Sequence, residues 1–318
     1  MKRQGRGPVG ESAIAAPFGR FGLIWGTNVA GGHGLLAQRD VAVAAARPRS
    51  RRRDDIDARR YVRVTLGLTL AIYALLAAAL TGTVPAWLPA VILPWIYVRL
   101  SLALHELLHV RTADRVPRFH RLAMIFDTPF GLGYRELRSI HFRHHRYAVT
   151  ERDPELYQIR GGHGRAMLSA LFSPERAVFA WIRERGVSRT LLQEGSLRGL
   201  LFVGLALLNP LVFLLYWCAL RVCIGASSFV FHHLLHSRDD RPGTFALPAP
   251  QWLVRVGVAL FGDESMRILT QHRSHHLWPD LRAADLPQLP AGFALPPGRT
   301  TAAQRAAASC CTAGARSR

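Results

Sequence analysis

The sequence predicts an all-α integral membrane protein, with four transmembrane helices and a mainly helical cytosolic cap. Charged residues are concentrated in both tails and in the middle of the chain, and long uncharged stretches separate them, although 49% of all residues are hydrophobic. One uncharged stretch, Val64–Gly82, has nineteen residues, close to the ~20 that cross a bilayer as a helix. Eleven of the fourteen histidines lie in four short clusters, at spacings that put imidazoles on one side of a helix.

The two ends of the chain have the composition of disordered segments. Residues 1–60 are rich in glycine, alanine and arginine, and their apolar patch, Phe18–Trp25, is interrupted by Arg20 and too short for a span or a secretory leader. We expect a disordered basic extension here, with His33 in a loop. Residues 291–318 are rich in proline, alanine and arginine and are expected to form a disordered tail. This leaves residues 61–290 as the folded membrane domain.

The apolar stretches within this domain predict four spans. The first is Val64–Gly82, and after a turn the second is Trp87–Leu104, in which Arg99 can reach the headgroups. The third stretch, Leu197–Phe231, has 35 residues, fewer than the ~40 ideal for two spans. A single span would put the histidines that follow it across the bilayer from the other clusters, where they could not share a site with them. We therefore predict a hairpin that turns near Asn209-Pro210.

The distribution of arginine predicts the orientation. The loops around residues 82–84 and 209–210 carry no charge, and the arginine-rich segments all lie on the other side. The positive-inside rule then places both termini and all four histidine clusters in the cytoplasm, for a multi-pass protein of the cell (inner) membrane. The formal charge of +20 fits a face toward anionic lipid. No nucleic-acid-binding motif is visible, so we expect no nucleic-acid partner.

The histidine clusters indicate a metal site. They comprise His105 and His109; His141, His144 and His145; His232, His233 and His236; and His272, His275 and His276. The first pair reads His-Glu-Leu-Leu-His, so a membrane zinc protease with Glu106 as general base is one hypothesis. A catalytic zinc site needs only three protein ligands, whereas three clusters alone offer eight imidazoles, a number that suits two metal ions. Isolated His120 and His163 are interpreted as structural.

Iron is the metal that we infer. Imidazole ligands suit copper, zinc, nickel and iron, and spacing does not distinguish them. A dinuclear site at the edge of a bilayer could activate O2 against an unreactive C–H bond of a lipid. That use requires a redox-active metal, which excludes zinc.

The order of these motifs resembles that of the membrane fatty acid desaturase family, over roughly residues 60–290. A His-x-x-x-His motif follows the second span, His-x-x-His-His comes about thirty residues later, a histidine follows the fourth span, and a final His-x-x-His-His precedes Leu-Trp-Pro. The resemblance implies four transmembrane helices under a cytosolic cap, two non-haem iron ions, O2 as co-substrate, and a fatty acyl substrate from the membrane. It also implies a separate electron donor, ferredoxin or cytochrome b5 with its reductase.

The resemblance also implies the roles of individual residues. The metal ligands would be His105, His109, His141, His144, His145, His236, His272, His275 and His276, with His232 a direct or water-mediated ligand. His233 points elsewhere if its segment is helical and is omitted. Glu106 and Asp153 would orient metal-bound imidazoles; Glu106 would then not be a hydrolytic base.

The reaction itself stays open between related outcomes. A fatty acid desaturase, acting on acyl-lipid or acyl-CoA, is the leading hypothesis. The first motif has three residues between its histidines, a spacing found in desaturases and also in related hydroxylases and ketolases of alkanes, acyl chains or carotenoids. A membrane protein that keeps the scaffold without catalysis is disfavoured by the full set of motifs. We expect an acidic reductant protein to dock on the basic cytosolic face.

Overall fold

The computed structural model of the chain describes residues 51–110, 131–239, 241–286 and 288, with helices throughout and one short hairpin. The helices are α1 (Arg51–Leu80), α2 (Leu88–Leu108), α3 (Tyr134–Tyr147), α4 (Leu156–Ile159), α5 (His163–Leu171), α6 (Ser173–Arg185), α7 (Arg189–Leu208), α8 (Pro210–Ser228), α9 (Gln251–Phe261), α10 (Asp263–Thr270) and α11 (His272–Leu277). A π-helical turn, Phe229–Leu234, continues α8, a 3-10 turn spans Ala283–Asp285, and the antiparallel strands β1 (Ser237–Arg238) and β2 (Arg241–Pro242) form the hairpin.

Among the described residues, four helical segments are long and apolar enough to cross a membrane, which confirms the predicted all-α membrane fold. They are Asp55–Leu80, Leu88–Leu108, Arg189–Leu208 and Pro210–Leu234. The last two form the predicted hairpin. Its turn is at Asn209, whose side chain accepts a hydrogen bond from the Val212 N–H at 3.1 Å, and Pro210 follows as the first helical residue, where its missing N–H costs nothing.

The first span extends beyond its apolar stretch. α1 begins at Arg51, so residues 51–60, assigned to the disordered extension, are helical. Ion pairs stabilise this part of α1: Arg60 lies 3.0 Å from Glu264, and Asp57 lies 3.5 Å from Arg282. The rest of the predicted extension, the predicted tail, His33 and His120 lie outside the described residues.

α2 and α8 lie at the centre of the bundle of four spans. Ile72 of α1, Leu93 and Ile96 of α2, and Tyr216 and Leu220 of α8 belong to one buried apolar cluster. The outward faces of α7 and α8 expose leucine and valine side chains, among them Leu200, Leu207, Leu208 and Val222. Apolar outward faces are expected of helices that lipid surrounds.

One glycine allows the cap to approach the last span. A Cβ atom built on Gly225 of α8 would lie 2.6 Å from Cδ2 of Leu171 in α5. The absence of a side chain therefore lets α5 lie directly against the end of α8. This contact is one turn before the π-helical segment that carries His232 and His233 and that His236 follows.

Candidate metal centre

The first two histidines lie where α2 ends. His105 is in its last turn, and His109 is the residue that caps it, with its backbone N–H donating to the Glu106 carbonyl at 3.1 Å. Because they are four residues apart in a helix, both imidazoles lie on the same side, with ring centroids 5.1 Å apart. The membrane helix therefore delivers both rings to one point beneath the cap.

The second cluster lies on α3, as its spacing predicted, but its three rings divide between two groups. His141 and His145 face the α2 pair: Nε2 of His141 lies 2.7 Å from Nε2 of His109 and 3.1 Å from Nε2 of His145. At 100° per residue, His144 and His145 lie on either side of the direction of His141. His144 therefore faces the other way, toward His236, with ring centroids 4.7 Å apart.

A π-helical turn positions the histidines after the fourth span. Nδ1 of His236 lies 3.0 Å from the Phe231 carbonyl, and its Nε2 lies 3.2 Å from Nε2 of His276. His236 is fully buried. Short π-helical segments are uncommon and frequently occur at functional sites, because the inserted residue changes the direction of the side chains that follow.

The last cluster, on α11, supplies both groups. Nitrogen atoms of the first histidine group all lie within 4.8 Å of one another, and its members are His105, His109, His141, His145 and His275. The second histidine group, with the same limit, is His144, His236 and His276. The His272 ring adjoins the second group, 4.6 Å from the His276 ring and 4.9 Å from the His236 ring. The structure thus brings eight of the predicted ligands into two adjacent groups, and a ninth, His272, lies beside the second group.

The hydrogen bonding of these rings fits metal ions. Both ring nitrogens of His272 and of His275 are buried without a hydrogen-bond partner among the described residues, and the same is true of Nδ1 of His145. Buried polar atoms are normally paired, so unpaired nitrogens in a cluster of imidazoles indicate a missing ligand. Nε2 of His109 and Nε2 of His141 face each other at 2.7 Å. Two lone pairs at this distance repel each other, so the pair requires either a shared proton or a metal ion that both rings bind.

Burial favours the protonation state that binds metal. It lowers the pKa of six of these rings well below the usual range, and the charges of neighbouring histidines lower it further; the six are His141, His145, His236, His272, His275 and His276. These imidazoles are therefore neutral at pH 7. Neutral imidazole is the form that coordinates a metal ion.

His144 has a different environment because Asp153 adjoins it. Burial alone would lower the pKa of His144, but the Asp153 carboxylate outweighs burial and raises that pKa to about 9. Nδ1 of His144 donates to Asp153 at 3.0 and 3.1 Å, so Nε2 is the nitrogen that a metal ion would bind, in place of the proton that the raised pKa keeps there. Asp153 also accepts from the backbone N–H groups of Val149 and Glu155, at 2.8 and 2.9 Å. The carboxylate thus lies in a position to orient the His144 ring, and its role at a metal ion stays a prediction.

Two predicted site residues lie at the margin. His232 is in neither group, because its Nε2 lies 2.9 Å from a Glu155 carboxylate oxygen and its Nδ1 lies 3.1 Å from the Ser228 carbonyl. Glu106 is 3% exposed and accepts from the Tyr61 hydroxyl at 3.4 Å. One of its oxygens lies 3.7 Å from Nδ1 of His105, beyond hydrogen-bonding distance.

Two features of the site were not predicted from the sequence. Glu155 lies between His144 and His232, and its spacing of two residues from Asp153 was the only available signal. The second feature is the contact between His233 and His163. His233, omitted from the predicted ligands, lies outside both groups. Its Nε2 lies 2.8 Å from Nδ1 of His163, and its own Nδ1 donates to the Ile159 carbonyl at 3.0 Å. His163 and His233 therefore link the cap to the last span.

A cavity of about 230 Å³ adjoins both groups. Its lining includes His105, His141, His144, His272 and His276, and apolar side chains from α2, α3 and α8 form much of the wall. A mainly apolar space that adjoins two sets of potential metal-binding side chains suits a hydrocarbon chain.

Comparison with known proteins gives one finding. A family model described as Fatty acid desaturase matches residues 81–294, more than half of the chain. The matched segment contains every histidine of both groups. No match was found among curated proteins or among solved structures.

Proposed function

The chain belongs to the fatty acid desaturase family, and on this premise we propose that it forms a C=C bond in a fatty acyl chain with O2 as oxidant. As a member, it is a membrane oxidoreductase of the desaturase and hydroxylase type that acts on lipid. The observation that carries the proposal is the cavity whose lining includes imidazoles of both histidine groups. An acyl chain in acyl-lipid or acyl-CoA form would lie there with one of its methylene groups beside both groups.

The residues present fit two iron ions. The first histidine group would hold one ion, and His144, His236, His272 and His276 would hold the other, while Asp153 orients His144. When bound, two iron ions supply the redox capacity to activate O2 against an unreactive C–H bond. His232, fixed by Glu155, would act at most through a water molecule.

The protein itself orients the substrate and excludes water. Leu100, Leu104, Leu132 and Ile140 line the cavity and would contact the methylene groups of the chain. A chain held in one conformation presents the same C–H bonds to the reaction in every turnover. An apolar cavity also prevents side reactions with water.

The geometry disfavours the zinc protease. Glu106 accepts from the Tyr61 hydroxyl and from the Ala283 N–H, and it is absent from the cavity lining. A general base must reach the water molecule that attacks the substrate. His141, His145 and His275 would also occupy the position that a catalytic zinc ion keeps open.

Hydroxylation or ketolation of an alkane, an acyl chain or a carotenoid is the second candidate. It is favoured by the three-residue spacing between His105 and His109, which is shared with related hydroxylases and ketolases. The outcome depends on whether, after the first hydrogen atom is removed, a second hydrogen is removed from the adjacent carbon or an oxygen atom is transferred to the first carbon. The products differ in mass, so one experiment distinguishes the two reactions.

The electrons would come from a separate protein. Arg135, Arg146, Arg152 and Arg165 are exposed on the cap, on the side to which the spans deliver the histidines. A ferredoxin or cytochrome b5 with acidic residues around its redox centre would dock here, in the cytoplasm, because opposite charges steer association. Both termini would also be cytoplasmic.

Lipid profiling tests the proposal. The chain is expressed in a host with ferredoxin and its reductase, beside His144→Ala and the control His163→Ala, which alters a histidine outside both groups. We expect a lipid lighter by two hydrogens with the wild type and with His163→Ala, and none with His144→Ala. A lipid heavier by one oxygen would establish the second candidate. Unchanged lipids in cells whose purified protein contains iron would refute both.

A further inference from the structure

Part of the lining of the cavity beside the histidine groups is polar. Its apolar wall comes from α2, α3 and α8, whereas Tyr157, Gln158, Ser173 and Ser228 form a polar patch between the cap and the end of α8. A saturated hydrocarbon makes no hydrogen bonds, so a cavity for a plain acyl chain has no use for such a patch. The few polar groups of a ligand pocket generally fix the orientation of a polar group of the ligand.

Three of these four side chains already have protein partners. The Tyr157 hydroxyl donates to the Ser173 carbonyl at 3.1 Å. The hydroxyl groups of Ser173 and Ser228 lie 2.9 Å apart and share a hydrogen bond. These three residues connect the cap to α8 and have an evident structural role.

Gln158 is different. Its side chain is 3% exposed, and its Oε1 is buried without a hydrogen-bond partner among the described residues. α4 fixes the residue, because the Gln158 N–H donates to the Glu155 carbonyl at 2.9 Å. A buried carboxamide without a partner destabilises a protein. Leucine or methionine would fill the same position without that penalty, so the carboxamide is expected to have a ligand.

We propose that the substrate is a lipid chain with a hydroxyl group that hydrogen-bonds to Gln158 inside the cavity. The inference rests on the proposed function and specifies its substrate class. A hydroxyl group can donate to Oε1 and accept from Nε2 of the carboxamide, so it satisfies both. An unsubstituted chain leaves Gln158 desolvated and unpaired. A site built to hydrogen-bond a substrate hydroxyl rejects the analogue that lacks it more strongly than it rejects a change of one methylene.

A positional series of probes tests the inference. Octadecanoic acids with a single hydroxyl at successive carbons are compared with unsubstituted octadecanoic acid, using the full chain loaded with iron in nanodiscs. Binding is measured from the shift in thermal unfolding temperature, which needs no electrons. Turnover is measured in parallel with ferredoxin and its reductase. We expect at least one hydroxylated acid to bind about tenfold more tightly, or better, than the unsubstituted acid.

Gln158→Leu and the more flexible Gln158→Met remove the carboxamide and keep the volume. Each should abolish the preference between the two acids, and either variant suffices if the other fails to fold. Leu137→Val is the matched control, because Leu137 lines the same cavity and offers no hydrogen bond. It should weaken the binding of both acids equally and leave the ratio of their affinities unchanged.

The outcomes separate the two proposals. Equal binding of all the acids would overturn the inference, since a water molecule would then satisfy Gln158. A preference that survives in both Gln158 variants would also overturn it. If no acid is oxidised although the hydroxylated one binds more tightly, the substrate class stands and the proposed function fails. If all the acids bind equally and are oxidised at the same rate, the proposed function stands and the substrate class fails.

Discussion

Asp153→Asn should weaken metal binding and destabilise the metal-free protein by separate effects. Removal of a carboxylate that orients a metal-bound histidine typically costs 10- to 100-fold in metal affinity, or about 1.4–2.8 kcal/mol. In addition, one carboxylate oxygen accepts from the Val149 N–H and the other from the Glu155 N–H. The amide of asparagine provides only one acceptor, so one buried N–H loses its partner, at about 1–3 kcal/mol.

The backbone at Val149 adds to this cost. Its φ is 65°, a left-handed conformation that disfavours a β-branched residue by about 1–2 kcal/mol. The hydrogen bond from its N–H to Asp153 holds this conformation. Once that bond is lost, we expect the turn to relax and His144 to lose its orientation.

The assay measures the two effects apart. Metal content is determined by mass spectrometry after dialysis against graded concentrations of a chelator, and stability by thermal unfolding of the metal-free protein in detergent. Glu151→Gln is the control, because Glu151 is an exposed carboxylate in the same turn and pairs with exposed Arg160; an exposed pair contributes little. If Asp153→Asn retained metal as well as Glu151→Gln does, the assigned role of Asp153 would be wrong.

Other predictions follow from the contacts described above. His236→Ala should lose about one metal ion per chain, whereas His233→Gln, three residues earlier and within the π-helical turn, should retain both; equal loss, measured by metal analysis, would contradict the assignment. Gly225→Ala should destabilise the protein by about 1–3 kcal/mol because its Cβ overlaps a neighbouring helix, while Gly204→Ala, with nothing within 4 Å, should not lower the unfolding temperature. Arg198→Met should lower that temperature by several degrees, since a fully buried guanidinium that donates to two backbone carbonyls is removed; an unchanged value would show that the carbonyls find other partners.

Hydropathy was sufficient to predict the first two spans and a third apolar stretch, because a helix within lipid must be long and apolar to satisfy its backbone. The hairpin at Asn209 was predicted from the requirement that the histidines share one side of the membrane. The polar start of α1 was not predicted, because residues such as Asp57 and Arg60 are stabilised by partners more than 200 residues away in sequence. No local pattern contains that information.

Within the site, spacing predicted which histidines share a helix face but not how they divide. His144 and His145 are adjacent in sequence, yet only the tertiary positions of His275 and His276 place them in different groups. The engagement of His232 by Glu155 likewise depends on a contact across 77 positions. The π-helical turn has no sequence signature that would have predicted the direction of His236.

The position of α11 in the chain has a consequence for biosynthesis. Both histidine groups include residues of this helix, which lies after all four spans. During translation the spans can enter the bilayer while each group still lacks a member, and neither group is complete until residues 272–276 have left the ribosome. Metal loading would therefore be a late step of maturation, and a nascent chain arrested before this helix would be inserted in the membrane with both histidine groups incomplete.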